Sequence, residues 1–204
     1  MRTSVFVLLL IATAASARAQ VPASGLFVEG ALLGDYDSSR GPSPFLTAPP
    51  ASAGGSGAIG LQAGHFTARF EAEVPAFHSR TFTETHTGLK TVDVESFRTI
   101  TYGALFGGCF QPYSRVELAA LAGFSDAIEE TRYSGYSERF LANGAVSRED
   151  INSRSSYPRG AVTAGVDSAV RVTSHLSLVP ELRFLVYTEY GSVFRPRLGV
   201  RWMF

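Results

Sequence analysis

Two pairs of oppositely charged residues stand two positions apart in this sequence, Arg69 with Glu71 and Glu181 with Arg183. Carboxylates can act as general acids or bases, whereas a carboxylate beside a guanidinium can instead form a structural ion pair. The sequence holds no glycine-rich phosphate loop, nucleophile elbow or nucleotide-binding motif to accompany these carboxylates. We therefore interpret both pairs as structural ion pairs and predict no catalytic role for them.

The histidines and the cysteine do not indicate metal or redox chemistry. His65, His78 and His86 lack the spacing of metal ligands, and Cys109 is the single cysteine, so it has no partner for an internal disulfide. The chain has 18 basic and 18 acidic residues, a balance that does not favour a nucleic-acid partner. We expect no metal site, no cofactor and no nucleic-acid binding.

The charged residues lie in segments where polar and apolar side chains alternate. From Leu176 onward one parity is apolar, and the other contains Glu181 and Arg183; the stretch from Phe194 to Phe204 repeats this pattern. Similar alternation occurs in 66–74, 100–106, 116–124 and 162–172, and more weakly in 26–33 and 57–63. A period of two is typical of β-strands, whose successive side chains point to opposite faces. The sequence therefore predicts an all-β fold with eight strands.

The connections between these strands alternate between short and long. Tight turns are predicted near 64–65, 111–114 and 173–174, long polar segments at 35–56, 85–89 and 125–159, and a short fourth connection at 190–192. Short turns at one end and long loops at the other are typical of outer-membrane barrels. Segment 125–159 is too long for a plain loop, so we expect strand extensions or a further hairpin near Asn143-Gly144. The alternative is a barrel of ten strands.

Both termini carry sequence signals. Arg2, an apolar stretch from Val5 to Ala15 and the small-x-small site at 17–19 predict a cleaved signal peptide over residues 1–19. Residues 20–204 then form one barrel domain, with a net charge of −2 after loss of Arg2 and Arg18. The last eight residues resemble the C-terminal insertion signal of outer-membrane barrels. The positions that match it are Arg197, Gly199, Trp202 and Phe204.

The two faces of the strands differ in a way that favours a polar interior and a lipid-facing apolar exterior. The polar face is rich in small residues, which a crowded eight-stranded interior requires. Its charges balance in sign, as confined charges must, and aromatic residues lie near the ends of the apolar strands. We predict an interior charge network of Glu29, Arg69, Glu71, Glu73, Glu117, Asp167, Arg171, Glu181, Arg183, Arg195, Arg197 and Arg201.

In layout and in its terminal signal, the whole chain after residue 19 resembles the OmpA/OmpX-like family of small outer-membrane β-barrels. The resemblance implies a closed antiparallel up-and-down transmembrane barrel in the bacterial outer membrane. It also implies that outer-membrane lipid surrounds the barrel and that the barrel-assembly machinery recognises the last strand. It says little about activity.

Three functions are compatible with such a barrel. The first is a non-enzymatic protein with a plugged interior, whose segments 35–56 and 125–159 carry any binding or adhesion role toward an extracellular ligand. The second is a small ion or solute channel, although eight strands leave an interior that side chains fill.

The third and most remote function is a lipid-modifying enzyme. His175, Ser177 and Glu189 look like the His-x-Ser and downstream Glu of the PagL-type lipid A deacylases, whose triad is Ser-His-Glu. Glu189 is 12 residues from Ser177, roughly 40 Å along a strand, far beyond hydrogen-bond reach. We therefore predict that the protein is not an enzyme.

Overall fold

The computed structural model describes residues 24–37, 51–188 and 191–204, and in these ranges the regular elements are β-strands. They are β1 (Gly25–Asp37), β2 (Ala51–Ala63), β3 (Phe66–Pro75), β4 (His78–His86), β5 (Leu89–Tyr113), β6 (Val116–Phe140), β7 (Val146–Arg171), β8 (Leu176–Tyr187) and β9 (Ser192–Met203). Within the described ranges there is no helix with the length and apolar character needed to cross a membrane. The predicted signal peptide, residues 1–19, lies outside the described residues.

The strands close into a ring of eight. Except for β3 and β4, neighbours in sequence pair antiparallel; β1 pairs with β9, and β3 pairs with β5 over residues 66–73. β4 adds no ninth position to the ring, because it continues from β3 and pairs with the upper part of β5. Closure gives every strand two neighbours and leaves the ring without an edge. The predicted all-β barrel of eight strands is confirmed, and the ten-stranded alternative is wrong.

Tight turns join the strands at the lower end of the barrel. Gly64 and His65 connect β2 to β3, and Gly64 has a φ of 59°, which favours glycine. Ser114 and Arg115 connect β5 to β6, and residues 172–175 connect β7 to β8. All three short turns that the sequence predicts occur at this end.

The two faces of the ring are segregated by polarity. Leu32 and Phe124 on the outside are 75% and 76% exposed, while Arg183 and Arg195 on the inside are 0% exposed. This is the reverse of a water-soluble barrel, in which apolar side chains fill the interior. A closed sheet with an apolar exterior satisfies its backbone internally and can therefore span lipid.

The long segment 125–159 is not a plain loop, as we expected from its length. β6 continues to Phe140 and β7 begins at Val146, and the two strands pair along their whole length. The turn between them, residues 141–145, contains Gly144 with a φ of 80°. Strand extension with a hairpin near Asn143-Gly144 is confirmed, but the hairpin lengthens two existing strands and adds none to the ring.

A four-stranded sheet thus rises above the upper end of the barrel. It consists of residues 78–86, 89–98, 130–140 and 146–156, and we call it the upper sheet. β4 and its connection to β5 occupy the region predicted as a long loop around 85–89, where His86 and Leu89 instead close a tight hairpin. Because β8 ends at Tyr187, paired with Ala161, the upper part of β7 is an edge strand. An edge strand is a position that tolerates Pro158.

Candidate functional site

Arg183 lies near the centre of the barrel interior and contacts carboxylates from three strands. Its Nη1 donates to Asp167 Oδ1 at 2.6 Å, and its Nη2 donates to Glu181 Oε2 at 2.7 Å. Its Nε lies 3.3 Å from Glu71 Oε1 on β3. β8 and β3 are separated by four positions in the ring of eight, so the Arg183–Glu71 pair spans the full width of the interior.

Arg69 joins the same group of acids from the opposite wall. Its Nη2 donates to Glu71 and to Glu181, each at 2.8 Å, and its Nη1 donates to Asp167 at 2.9 Å. Asp167 is thus held by Arg69 and Arg183 together. Guanidinium groups suit this arrangement because their planar donors can engage several carboxylate oxygens at fixed angles.

Arg195 and Arg197 extend the cluster toward the upper end. Arg195 Nε donates to Asp35 Oδ1 at 2.7 Å and Arg195 Nη1 donates to Glu73, while Arg195 Nη2 donates to the carbonyl of Thr99 at 2.8 Å. Arg197 Nη1 donates to Glu71 Oε2 at 2.9 Å and to Glu73 Oε1 at 3.0 Å. Both arginines come from β9, two residues apart, so they point to the same side.

Arg201 and Glu117 form the lower part of the cluster. Arg201 Nε donates to Glu29 at 2.8 Å, its Nη2 donates to Asp167 at 3.1 Å, and its guanidinium covers the Phe27 ring at 4.6 Å. Gln62 Nε2 donates to Glu117 Oε2 at 2.7 Å, and Arg201 lies 3.8 Å from Glu117. The chain of contacts therefore continues from Asp35 near the upper end to Glu117 near the lower end.

The structure brings together every residue of the predicted interior network except Arg171. Arg171 is half-buried and lines a small cleft of about 20 Å³ at the lower end, beside Arg201 and Ser177. Asp35 belongs to the cluster but is not among the predicted members, because the sequence predicts a loop over residues 35–56. The signal that could have found it is parity: Asp35 continues the inward series of Glu29, Ala31 and Leu33.

Small residues make room for these large side chains. A Cβ built on Gly165 would lie 2.5 Å from Arg183 Nη1 and 2.8 Å from Arg183 Cδ. Gly103 faces Ser125 equally closely, and Gly60 faces the Phe27 ring. The glycines on the polar face thus permit close packing of the interior side chains.

The upper sheet presents two chemically different faces. The face over the barrel mouth carries aromatic and acidic groups: His78 stacks on Phe97 with ring centroids 5.0 Å apart, and Tyr133 donates to Glu95 Oε1 at 2.9 Å. The outward face carries Glu130, which accepts from Arg98 Nε at 2.8 Å and from Arg154 Nη2 at 2.7 Å on the neighbouring strands.

Glu130 remains ionised at neutral pH despite its low exposure. Burial raises the pKa of the Glu130 carboxyl, but the hydrogen bonds from Arg154 and Arg98 outweigh burial and hold that pKa below its usual range. While it is charged, Glu130 on β6 therefore links its strand to β5 through Arg98 and to β7 through Arg154.

Comparison with known proteins relates the whole barrel to solved structures. No protein-family model matches the chain, and no curated protein matches it. Ail, the attachment invasion locus protein of Yersinia pestis, in complex with the heparin analogue sucrose octasulfate, gives a TM-score of 0.55 at 12% identity, over 90% of this chain and 100% of that chain. A second Ail structure gives 0.54 at 11% identity, over 89% and 100%. Neisserial surface protein A gives 0.47 at 15% identity, over 90% and 100%.

The two Ail superpositions decide the fold. This chain has the fold of the small outer-membrane β-barrels. The barrel's apolar exterior agrees with that fold, because only lipid can cover a ring of exposed Leu, Val and Phe side chains without cost.

The C-terminal residues of the barrel alternate as β9 requires. Trp202 points outward and stacks on His175 with centroids 5.6 Å apart, whereas Arg197 points inward into the charge cluster. The Phe204 amide donates to the Leu26 carbonyl at 2.9 Å, so the last residue closes the β9–β1 seam. Gly199 lies close to Ala31 on the same seam. Their role as an insertion signal stays a prediction.

His175 and Ser177 lie at the lower end of the barrel and make structural contacts. The His175 Nδ1 lies 3.0 Å from the Met203 carbonyl, and Ser177 pairs across the sheet with Arg201. Glu189 lies outside the described residues. In the described part of the chain no group of three or more His, Cys, Asp or Glu residues could hold a metal ion.

Proposed function

We propose that the protein is a non-conducting outer-membrane barrel that serves as a rigid support for a binding surface above the membrane. The observation that carries this proposal is the Arg183–Glu71 pair, which crosses the entire interior. Around it, guanidinium and carboxylate groups from opposite walls are within hydrogen-bond distance of one another. Such a layer leaves little room for a hydrated path.

Energetics supports a permanent rather than a transient plug. Each of the five interior arginines contacts at least two carboxylates, and removal of one partner from a buried pair costs about 3–5 kcal/mol. A gate would have to separate several of these pairs together. A path for ions through the resting barrel is therefore disfavoured.

The binding surface that we propose is the upper sheet. Of the other segment predicted to bind, residues 35–37 and 51–56 belong to β1 and β2, and residues 38–50 lie outside the described residues. The upper sheet stands on three barrel strands that continue into it without interruption, so it is held rigidly. The similar barrel Ail was solved in complex with a heparin analogue. A sulfated saccharide is accordingly a reasonable first class of extracellular ligand to test.

Planar-bilayer recording of the refolded protein tests the plug. We expect no reproducible conductance steps from the natural barrel. A double variant, Glu71→Ala with Arg183→Ala, removes the pair that crosses the interior, and we expect it to show short openings. Heat-modifiable migration on gels must first show that both proteins are folded. Steady steps from the natural barrel would overturn the proposal and favour the small channel.

We further propose that the barrel is not an enzyme. Ser177 and His175 both lie at the lower end, where His175 Nδ1 contacts the Met203 carbonyl and Ser177 is the cross-strand partner of Arg201. Incubation of the folded protein with lipid A should release no fatty acid. Release that is lost in Ser177→Ala would contradict this inference.

We also infer that Arg197, Gly199, Trp202 and Phe204 are read by the assembly machinery. Phe204→Ala should refold normally in detergent, because its backbone bond to Leu26 is retained, yet it should accumulate poorly in the outer membrane. Equal loss in both assays would indicate a purely structural role.

A further inference from the structure

We propose that three arginines on the outward face of the upper sheet, Arg98, Arg132 and Arg154, form a binding site for the phosphate-bearing headgroup of a membrane lipid. We call them the outer arginine cluster. They share the outward parity of Phe124 and of Ile128, the last apolar residue on the outward face of β6 below Glu130. They therefore face sideways over the membrane rather than over the barrel mouth.

The register places the cluster just above the apolar belt. Ile100, Ile128 and Pro158 are opposite one another and form the uppermost outward apolar row. Arg98 lies in the next outward row, and Arg132 and Arg154 in the row above it. Two residues of a strand tilted by ~40° rise about 5 Å, and the headgroup layer is roughly 5–8 Å thick on each side. The cluster thus stands at headgroup level.

The cluster has more positive charge than its surroundings neutralise. Glu130 is shared by Arg98 and Arg154 at 2.7 Å each. Arg132 lies 4.2 Å above the Phe77 ring, and among the described residues it makes no ion pair. The cluster therefore has three guanidiniums, of which two share the Glu130 carboxylate and the third, that of Arg132, has none. The next acid on this face toward the membrane, Asp126, is four residues along β6 from Glu130, about 13 Å away.

Direct opposition of two arginines makes an anion favourable here. Arg132 and Arg154 are cross-strand partners on the same face, and like charges in that position repel. A phosphate between them would relieve the repulsion and accept hydrogen bonds from both planar forks. The Phe77 ring orients the site in advance, because the Arg98 and Arg132 guanidiniums lie 4.4 Å and 4.2 Å from its centroid.

The same face offers a matched control. Arg148 is also exposed and also covers an aromatic ring, that of Tyr136 at 4.0 Å. Unlike Arg132, it has an acid at hand, Asp150 at 3.2 Å, and it pairs across the sheet with Glu138. Its charge is therefore already neutralised, and it lies further from the membrane than the outer arginine cluster.

Native mass spectrometry of the refolded full chain with added lipid tests the proposal. The probes are diphosphoryl lipid A, monophosphoryl lipid A and phosphatidylcholine. Arg132→Gln should weaken binding of diphosphoryl lipid A about tenfold, the loss expected for one charge-assisted hydrogen bond. Arg148→Gln should change it less than twofold. Arg132→Lys keeps the positive charge but loses the planar guanidinium, so its affinity for diphosphoryl lipid A should lie between those of the natural protein and Arg132→Gln.

Three outcomes would overturn the proposal. The first is an equal effect of Arg132→Gln and Arg148→Gln, and the second is binding that does not depend on the number of phosphates. The third is capture of soluble heparin, but not lipid, in an Arg132-dependent manner, which would assign the cluster to an extracellular polyanion. Heat-modifiable migration of each variant separates loss of binding from loss of folding. None of these readouts depends on conductance, so the plug and the lipid site can fail independently.

Discussion

At the scale of single residues, the barrel interior depends on charges that cannot reach water. Arg197 donates to both Glu71 and Glu73 from a fully buried side chain. If Arg197 were removed, Glu71 and Glu73 would each lose one positively charged partner. The stability of the interior is thus a property of pairs rather than of individual groups.

We expect Arg197→Leu to destabilise the folded barrel by about 3–5 kcal/mol, because it leaves two buried carboxylates short of a partner. The free energy of unfolding, measured by urea titration in detergent or lipid vesicles, checks this value. Arg171→Leu is the matched control, since Arg171 is half-buried at the lower end, and we expect a change within about 0.5 kcal/mol. Equal losses in both variants would contradict the interior assignment.

A second residue-scale prediction concerns the room that glycine provides. Gly165→Ala places a Cβ against Arg183 Nη1, so the Arg183 side chain must shift away from Asp167. We expect a loss of about 1–3 kcal/mol, as for other overpacked interiors. Gly30→Ala, where no atom lies within 4 Å of the new Cβ, should be close to neutral. Similar unfolding midpoints for the two variants would mean that the interior is loosely packed.

At the scale of elements, the upper sheet is held by polar contacts that respond to pH. The pKa of Glu130 is lowered in the folded state, so its contribution is present above the unfolded pKa of about 4.3 and is lost as the pH falls through the folded value. The protection factors of the amides of residues 130–140, which correct for the slower intrinsic exchange in acid, should therefore decrease below pH 4.3, before those of the ring strands.

Glu130→Gln removes this titration and supplies the control. The variant should exchange faster than the natural protein at pH 7, because Arg98 and Arg154 lose their shared carboxylate. In this variant, the part of the acid-dependent loss of amide protection that comes from Glu130 should be absent. An unchanged acid response would assign the pH dependence to other groups.

At the scale of the whole molecule, the ring and the upper sheet are separable. Every strand pairing that closes the ring lies below Arg98 and Glu130, whereas the upper sheet uses only β4 and the extensions of β5, β6 and β7. Replacing 78–97 and 131–155 with short turns should therefore leave a folded barrel. Heat-modifiable migration should persist and any extracellular binding should disappear. A truncated chain that does not refold would show that the upper sheet is needed for ring closure.

The alternation of residue types predicts much of this architecture. The period of two identifies the strands, and the small residues beside large charges identify the interior face before any coordinates are considered. These inferences succeed because strand periodicity and the crowding of an eight-stranded interior are local or generic effects. Segment 125–159 carries a weaker pattern, because its Ser-, Glu- and Arg-rich composition is that of a solvated loop, and neither face of its upper part meets the hydrocarbon layer of the membrane.

The sequence by itself determined that the chain forms an all-β barrel with its charges inside, because the alternation within each strand separates the side that meets lipid from the side that does not. The choice between eight and ten strands came from the structure, in which β3 pairs with β5 and β1 with β9. Only the tertiary structure decided which charges form pairs. Glu71 pairs with Arg183 across the interior and Asp35 pairs with Arg195, whereas Arg171 lies at the lower-end cleft, outside the charge cluster. The tertiary structure also decided that β4 to β7 rise together as one sheet and bring Arg98, Arg132 and Arg154 onto one face. Those contacts depend on register and ring closure, which join residues more than a hundred positions apart and leave no trace in any local pattern.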